Sequence, residues 1–220
     1  MDSNINFQLK MDKKIEEIIK SREKGDDLPS LLLHGCCAPC SSYVLEYLNS
    51  YFNITSFYYN PNISEETEYR KRVSELERLI KELPVENQVE LLEGSYIPAE
   101  FDDAVKGLET LGERSRRCYA CYELRLKETA RVAADKGFDY FTTTLSISPY
   151  KNARWLNEIG ERFSKEYGVE YLYADFKKRN GYKRSIELSE QYHLYRQDYC
   201  GCRYSKEESE RKKANKNVDI

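Results

Sequence analysis

Residues 28–42 read LPSLLLHGCCAPCSS. A leucine run of strand length ends at His34-Gly35 and passes directly into three cysteines, a proline and two serines. The apolar run predicts a buried strand, and the residues from about 41 to 50 predict the helix that follows it. The same alternation continues along the chain. ITSFYYNPN (54–62), QVELLEG (88–94), FDYFTTTLSISP (138–149) and VEYLYADF (169–176) predict further strands. Helices are predicted over 63–83, with Val73, Leu76, Leu79 and Ile80 on its apolar face, over 118–137 with Gly137 as terminator, and over 152–168 and 183–195. Strands separated by helices imply an α/β fold with a mostly parallel sheet and helices on both faces. Ligands of such sheets bind beyond the carboxyl ends of the strands. HGCCAPCS, YYNPN, TTTLSISPYKN and ADFKKRN all occupy such ends, which places the first cysteines in the expected crevice.

Outside this alternation, Ile15, Ile18 and Ile19 mark an amphipathic helix that ends near Gly25. The expected organisation is an N-terminal helical extension (1–27), a single α/β domain (28–205) and a charged tail (206–220) that is a fraying helix or disordered. The opening MDSNINFQLKMDKK carries two acids and no apolar run, unlike a secretory signal. No stretch approaches the ~18 consecutive apolar residues of a membrane span. A soluble, cytoplasmic protein with no membrane partner is expected.

The 35 basic and 38 acidic residues give a net charge of −3, and that average does not suggest a polyanion partner. The distribution does. KKRNGYKR places Lys177, Lys178, Arg179, Lys183 and Arg184 around Asn-Gly, and GERSRRC places Arg114, Arg116 and Arg117 beside a cysteine. Either run alone reads as a solvated surface; together, beside cysteines and among nineteen tyrosines, they outline a polyanion footprint.

The seven cysteines fall in three groups: Cys36, Cys37 and Cys40; Cys118 and Cys121; Cys200 and Cys202. An odd number of thiols in a reducing compartment argues against a disulfide framework and for metal or redox chemistry. Structural zinc would combine Cys37-x-x-Cys40 with Cys118-x-x-Cys121, two knuckles far apart in the chain, and leave three cysteines unused. A thioredoxin-type motif would use Cys37-Ala-Pro-Cys40 at a helix start, where the dipole favours the thiolate, but Cys36 is foreign to it. An iron–sulfur cluster could take Cys36, Cys37, Cys118 and Cys121, leaving Cys40, Cys200 and Cys202 for a second redox or metal role. Only this last reading gives every cysteine a task.

Other candidates carry two readings each. His34 at a strand end suits a hydrogen-bonded core position more than a ligand, and His193 a structural or surface one. Asp175 could ligate iron, handle protons or cap a helix. Tyr150 could donate a proton or pack, and Trp155 suits the core. Tyr58, Tyr59 and Tyr119 offer stacking faces near the crevice.

HGCCAPCS, YYNPNI followed by ETEYRKR, RCYACYELRL, TTTLSISPYKN, DFKKRNGY and YRQDYCGCRYS, in this order from about 31 to 205, resemble the non-corrinoid iron–sulfur family of epoxyqueuosine reductases. The resemblance implies reduction of epoxyqueuosine to queuosine at the wobble position of tRNAs with GUN anticodons, the final step of queuosine synthesis. It implies an external electron donor and a [4Fe–4S] cluster whose ligands fall on Cys36, Cys37, Cys118 and Cys121. Cys200 and Cys202 would form a redox-active disulfide or hold one additional iron, alone or with Asp175; a C-x-C disulfide is strained and easily reduced, whereas an iron would act as a Lewis acid. Cys40 could serve either centre. YYNPNISEETEYRKR and SPYKN also resemble the nucleotide α-hydrolase architecture of ATP-dependent tRNA-modifying enzymes. HGCCAPCS, however, stands where that architecture has its glycine-containing phosphate loop, which implies a shared fold with ATP binding lost. The rival without redox chemistry is a zinc-stabilised nucleotide- or RNA-binding module, and a general thiol–disulfide oxidoreductase is a second enzyme reading.

Overall fold

The computed structural model describes residues 5–23 and 25–216. The outermost residues of the expected extension and tail, 1–4 and 217–220, lie outside the described residues, as does Lys24. The elements run in the order α1 (Phe7–Ser21), β1 (Ser30–His34), α2 (Ala38–Leu48), β2 (Asn53–Tyr58), α3 (Glu66–Glu82), β3 (Glu90–Glu93) and α4 (Pro98–Ala104). They continue with α5 (Arg116–Lys136), β4 (Tyr140–Thr143), a 3₁₀ turn (Thr144–Ile147), α6 (Ala153–Tyr167), β5 (Glu170–Tyr171), α7 (Gly181–Gln191) and α8 (Arg203–Lys216).

The five strands form one sheet in the order β3-β2-β1-β4-β5, and every neighbouring pair is parallel. β1 is the central strand, with His34 in register with Phe57 on one side and Thr143 on the other. Its side chains alternate across the sheet. Leu31 and Leu33 join a core with Met11 and Ile15 of α1, Val44 and Leu48 of α2 and Leu76 and Leu79 of α3. Leu32 joins the opposite core with Leu126 and Ala130 of α5 and Leu156 and Ile159 of α6. Helices therefore cover both faces, as the alternation of elements predicts. The chain leaves β1 toward β2 and leaves β4 toward β5, in opposite directions, so the switch point lies between the carboxyl ends of β1 and β4.

Several boundaries differ from expectation for identifiable reasons. α2 starts at Ala38, earlier than 41, because Pro39 in its first turn brings a φ already suited to a helix. Cys37 is thereby the extended N-cap residue and Cys40 lies inside the helix. The expected strand 169–176 pairs only at Glu170–Tyr171. Further on, the buried Asn157 amide takes over the backbone of Ala174, accepting from its N–H at 2.9 Å and donating to its carbonyl at 2.9 Å. α7 stops at Gln191 because His193 adopts a positive φ. α4 was not anticipated, and the first part of the charged tail is helical as α8.

Candidate active site

β1 delivers Gly35, Cys36 and Cys37 to the switch point, and Gly35 donates its N–H to the Phe57 carbonyl at 2.8 Å. The Sγ atoms of Cys36, Cys37 and Cys40 all lie within 4.8 Å of one another, with Cys36 and Cys37 at 3.8 Å. Thr144, just past β4, donates its hydroxyl to Cys36 Sγ at 3.7 Å. Hydrogen bonds from Cys37 and Cys40, then the charge of Arg125, hold Cys36 well below the ordinary thiol range. The donor Cys37 is pushed up to about 12, and Cys40 is also raised by its thiol neighbours. One thiolate shared among three sulfurs at a helix N-terminus is a soft-metal donor set.

The other four thiols form a second group. Ser115 caps α5 by accepting from the Arg117 N–H at 3.3 Å, which places Cys118 and Cys121 in the first turns of that helix. Cys200 and Cys202 approach at 3.6 Å, and the Ser205 N–H donates to Cys202 Sγ at 3.4 Å. The residue between them must be glycine: Gly201 has φ +108°, and a Cβ there would lie 2.8 Å from Ile63 Cγ1. Cys121 and Cys202 pack together with Phe101 and Val105. Burial raises Cys118 and pushes Cys121 up to about 11, with the Cys200 charge adding to both. Cys200 is lowered, chiefly by the hydrogen bond from Cys202. All seven cysteines are unbridged.

A cavity of about 600 Å³ opens here, with Cys36, Cys37, Cys40 and Cys200 in its wall. Six cations not picked out from the sequence also line it: Arg72, Arg125, Lys151, Arg196, Lys212 and Lys213. Arg72 is buried, lies 2.7 Å from Glu68 and donates to the Cys200 carbonyl at 3.4 Å. Burial would lower Lys151, but Cys200, Tyr122 and Cys118 outweigh it and raise the ammonium. Arg125 donates to His34 Nε2 at 3.3 Å, to Asn60 Oδ1 at 2.5 Å and to Cys121 Sγ at 3.9 Å. One signal was readable beforehand: Arg72 shares a helix face with Tyr69, Leu76 and Leu79, and Arg125 shares one with Cys121, Tyr122 and Leu126. A cation in an apolar stripe must meet a polar partner inside the fold.

The remaining candidates separate. His34 is a buried core histidine whose Nδ1 lies 2.8 Å from Thr143 Oγ1 and donates to it; its Nε2 accepts from Arg125, with the Tyr59 carbonyl oxygen 3.1 Å away. Burial and then Arg125 lower it to about 3, so its ring is neutral. Asp175 does not line the cavity; its carboxylate pairs with Lys177. Arg117 is only 3% exposed, donates to the Glu109 and Leu111 carbonyls and pairs with Glu208 at 3.1 Å. It ties α8 to the loop before α5 and is closed to a phosphate. Arg114 and Arg116 are exposed, and Arg114 lies over the Tyr150 ring in the cavity wall. Lys178, Arg179 and Lys183 are exposed. Arg179 pairs with Asp12 and Arg184 with Glu46. Tyr58 is fully buried with no partner for its hydroxyl, Tyr59 donates to Glu100 at 2.6 Å, and Tyr119 meets Trp155 edge-on. His193 is exposed.

A parallel doubly wound sheet with clustered thiols at its switch point defines an α/β protein carrying a candidate metal site there. Among the described residues no helix is long and apolar enough to cross a membrane. The family model described as "Epoxyqueuosine reductase QueH" matches residues 31–208, and the chain belongs to that family. Relatives of the same name include one from Streptococcus pyogenes serotype M1, 43% identical over 92% of this chain and 80% of its own length. One from Staphylococcus epidermidis is 40% identical over 90% and 84% of the two chains, and one from Thermotoga maritima 34% identical over 80% and 90%.

Proposed function

We propose that this chain reduces epoxyqueuosine to queuosine at the wobble position of tRNAs with GUN anticodons, the final step of queuosine synthesis. The reading is carried by a cluster of three unbridged thiols in the wall of a switch-point cavity that Cys200 of the second group also lines, in a member of the epoxyqueuosine reductase family. The reaction breaks both C–O bonds of the epoxide and forms a C=C bond. Two electrons from an external donor and two protons convert the released oxygen to water.

The donor set fits iron: seven free thiols, with Arg72, Arg125 and Lys151 as positive charges beside them. A [4Fe–4S] cluster on Cys36, Cys37, Cys118 and Cys121, with one additional iron on Cys200 and Cys202, would supply single electrons and a Lewis acid for the epoxide oxygen. Cys40 lies close enough to Cys36 and Cys37 to serve there as well. The protein's own part is to exclude water, orient the base and hold protons. Tyr150 and Lys151 line the cavity and carry O–H and N–H protons toward it. Asp175, held by Lys177 outside the wall, is not assigned that task.

A wobble nucleotide can be splayed from its single-stranded loop into such a cavity more cheaply than from a duplex. α7 supports this arrangement: Tyr182 and Ser185 face the cavity, while Lys183 and Arg184 border a second groove with Arg179. Lys177, Lys178, Arg179, Lys183 and Arg184, with Arg114 and Arg116 on the other side, are the proposed phosphate contacts. The strand order and the place of HGCCAPC support kinship with the nucleotide α-hydrolase architecture. Cysteine side chains there replace the glycines that let backbone N–H groups reach phosphate.

Anaerobically purified protein, with iron, sulfide and zinc quantified on one sample, tests the proposal when combined with dithionite and tRNA bearing epoxyqueuosine. Sulfide-matched iron, brown colour and loss of one oxygen from the nucleoside are expected. Colourless protein with about one zinc, as in a closed structural site, and unchanged nucleoside would return the reading to the binding module.

A further inference from the structure

Among the described residues three arginines are buried, and two of them have a carboxylate. Arg72 has Glu68 at 2.7 Å and Arg117 has Glu208 at 3.1 Å. Arg125, 4% exposed, donates instead to a histidine nitrogen, an amide oxygen and a thiol sulfur. A buried guanidinium without an opposite charge is strongly disfavoured, and its hydrogen bonds to neutral groups offset only part of that cost. The missing negative charge has one source within reach, the sulfurs themselves. Cys121 lies one turn before Arg125 on the same face of α5.

The guanidinium is also a mechanical link. From α5 it donates to Asn60, just beyond β2, and Asn60 donates in turn to the Gly35 carbonyl at 2.9 Å, immediately before Cys36. Two hydrogen bonds thus join the helix that carries Cys118 and Cys121 to the turn that carries Cys36 and Cys37.

Building on the metal reading above, we propose that Arg125 is a positioning residue of the thiol site: a built-in counter-charge for metal-bound thiolates that also sets the spacing of the two cysteine groups. In the metal-free protein this cation faces no carboxylate among the described residues and has only the single thiolate of the Cys36 group beside it, whereas bound metal would gather several. Its removal should therefore weaken metal binding, where several thiolates would gather, far more than it weakens the apo fold, the reverse of what a purely structural arginine would show.

The test is anaerobic Co(II) titration of apo protein against a competing chelator, with thermal melting of the same apo samples, for wild type, R125Q and R125K. R125Q is expected to bind Co(II) about 10–100-fold more weakly, the usual effect of losing a group that supports metal ligands. Its apo melting temperature should fall by only a few degrees, and R125K should recover most of the affinity. Wild-type affinity in R125Q overturns the proposal. So does a drop in apo melting temperature that R125K repeats without recovering affinity. If wild type shows no Co(II)–thiolate charge-transfer band, the metal reading itself fails and this inference falls with it.

Discussion

Cys36, Cys37 and Cys40 take their places from one strand-to-helix turn, whereas Cys118, Cys121, Cys200 and Cys202 are gathered from two segments far apart in the chain. The first group rests on β1, paired along its length on both sides, and on a helix whose first turn is set by proline. The second rests on α5 for Cys118 and Cys121 and, for 200–202, on one backbone bond from Ser64 to Gly201 and mainly on side chains: Arg117 with Glu208, Ser205 donating to Glu113 at 2.8 Å, and Asn62 donating to the Cys200 carbonyl at 3.4 Å. One half of the site is fixed by backbone hydrogen bonds in the centre of the sheet. The other is held at the periphery by polar contacts, so perturbations there should alter the site before they unfold the domain.

Replacing a thiol of the central group should have the largest effect. Cys36→Ser is expected to lower thiolate-dependent metal affinity by more than ~100-fold, beyond the usual cost of losing a mere supporting group, and to abolish reduction of epoxyqueuosine in tRNA. Metal analysis and nucleoside mass spectrometry check this; retained metal and turnover would remove Cys36 from the ligand set.

Arg117→Gln strikes the peripheral half instead. It leaves Glu208 without its buried partner and should cost about 3–5 kcal/mol in urea unfolding. Amide hydrogen exchange should rise in α8 and around 200–202 while β1 stays protected. Equal exchange in both regions would erase the contrast between the two halves.

Gly201→Ala is a milder probe of the same half. With φ at +108° and a Cβ 2.8 Å from Ile63, it should cost ~1–3 kcal/mol by thermal or urea unfolding. An unchanged midpoint would show that the 200–202 turn is free to relax. The smallest effect is expected at the surface. Lys183→Ala should weaken tRNA binding modestly and reduce the slope of log affinity against log salt by about one, whereas Arg117→Gln should leave that slope unchanged. A salt titration separates the two.

Much of the central half was readable in advance. LLLHG announced a buried strand, and the cysteines after it were placed in the crevice by topology alone. Gly137, in the left-handed conformation, terminates α5 as expected. The peripheral half was less legible. GERSRRC offered three arginines that look alike in sequence, yet Arg114 and Arg116 are exposed while Arg117 is buried against Glu208. Asp175 stood at a strand end, but Lys177 took its carboxylate. The strand expected over 169–176 was cut short by a side-chain amide on another helix.

By itself, the sequence determined the elements and the kind of chemistry. Periodicity, capping and turn residues act within a few positions, and seven grouped thiols identify soft-metal or redox work wherever they end up. Only the tertiary structure decided which thiols stand together and which cations face them. Cys200 packs against the cluster of Cys121 and Cys202, and Arg125 meets His34, through crossovers that join residues as many as 91 positions apart. Such contacts are set by how helices pack on the sheet, which no local pattern encodes.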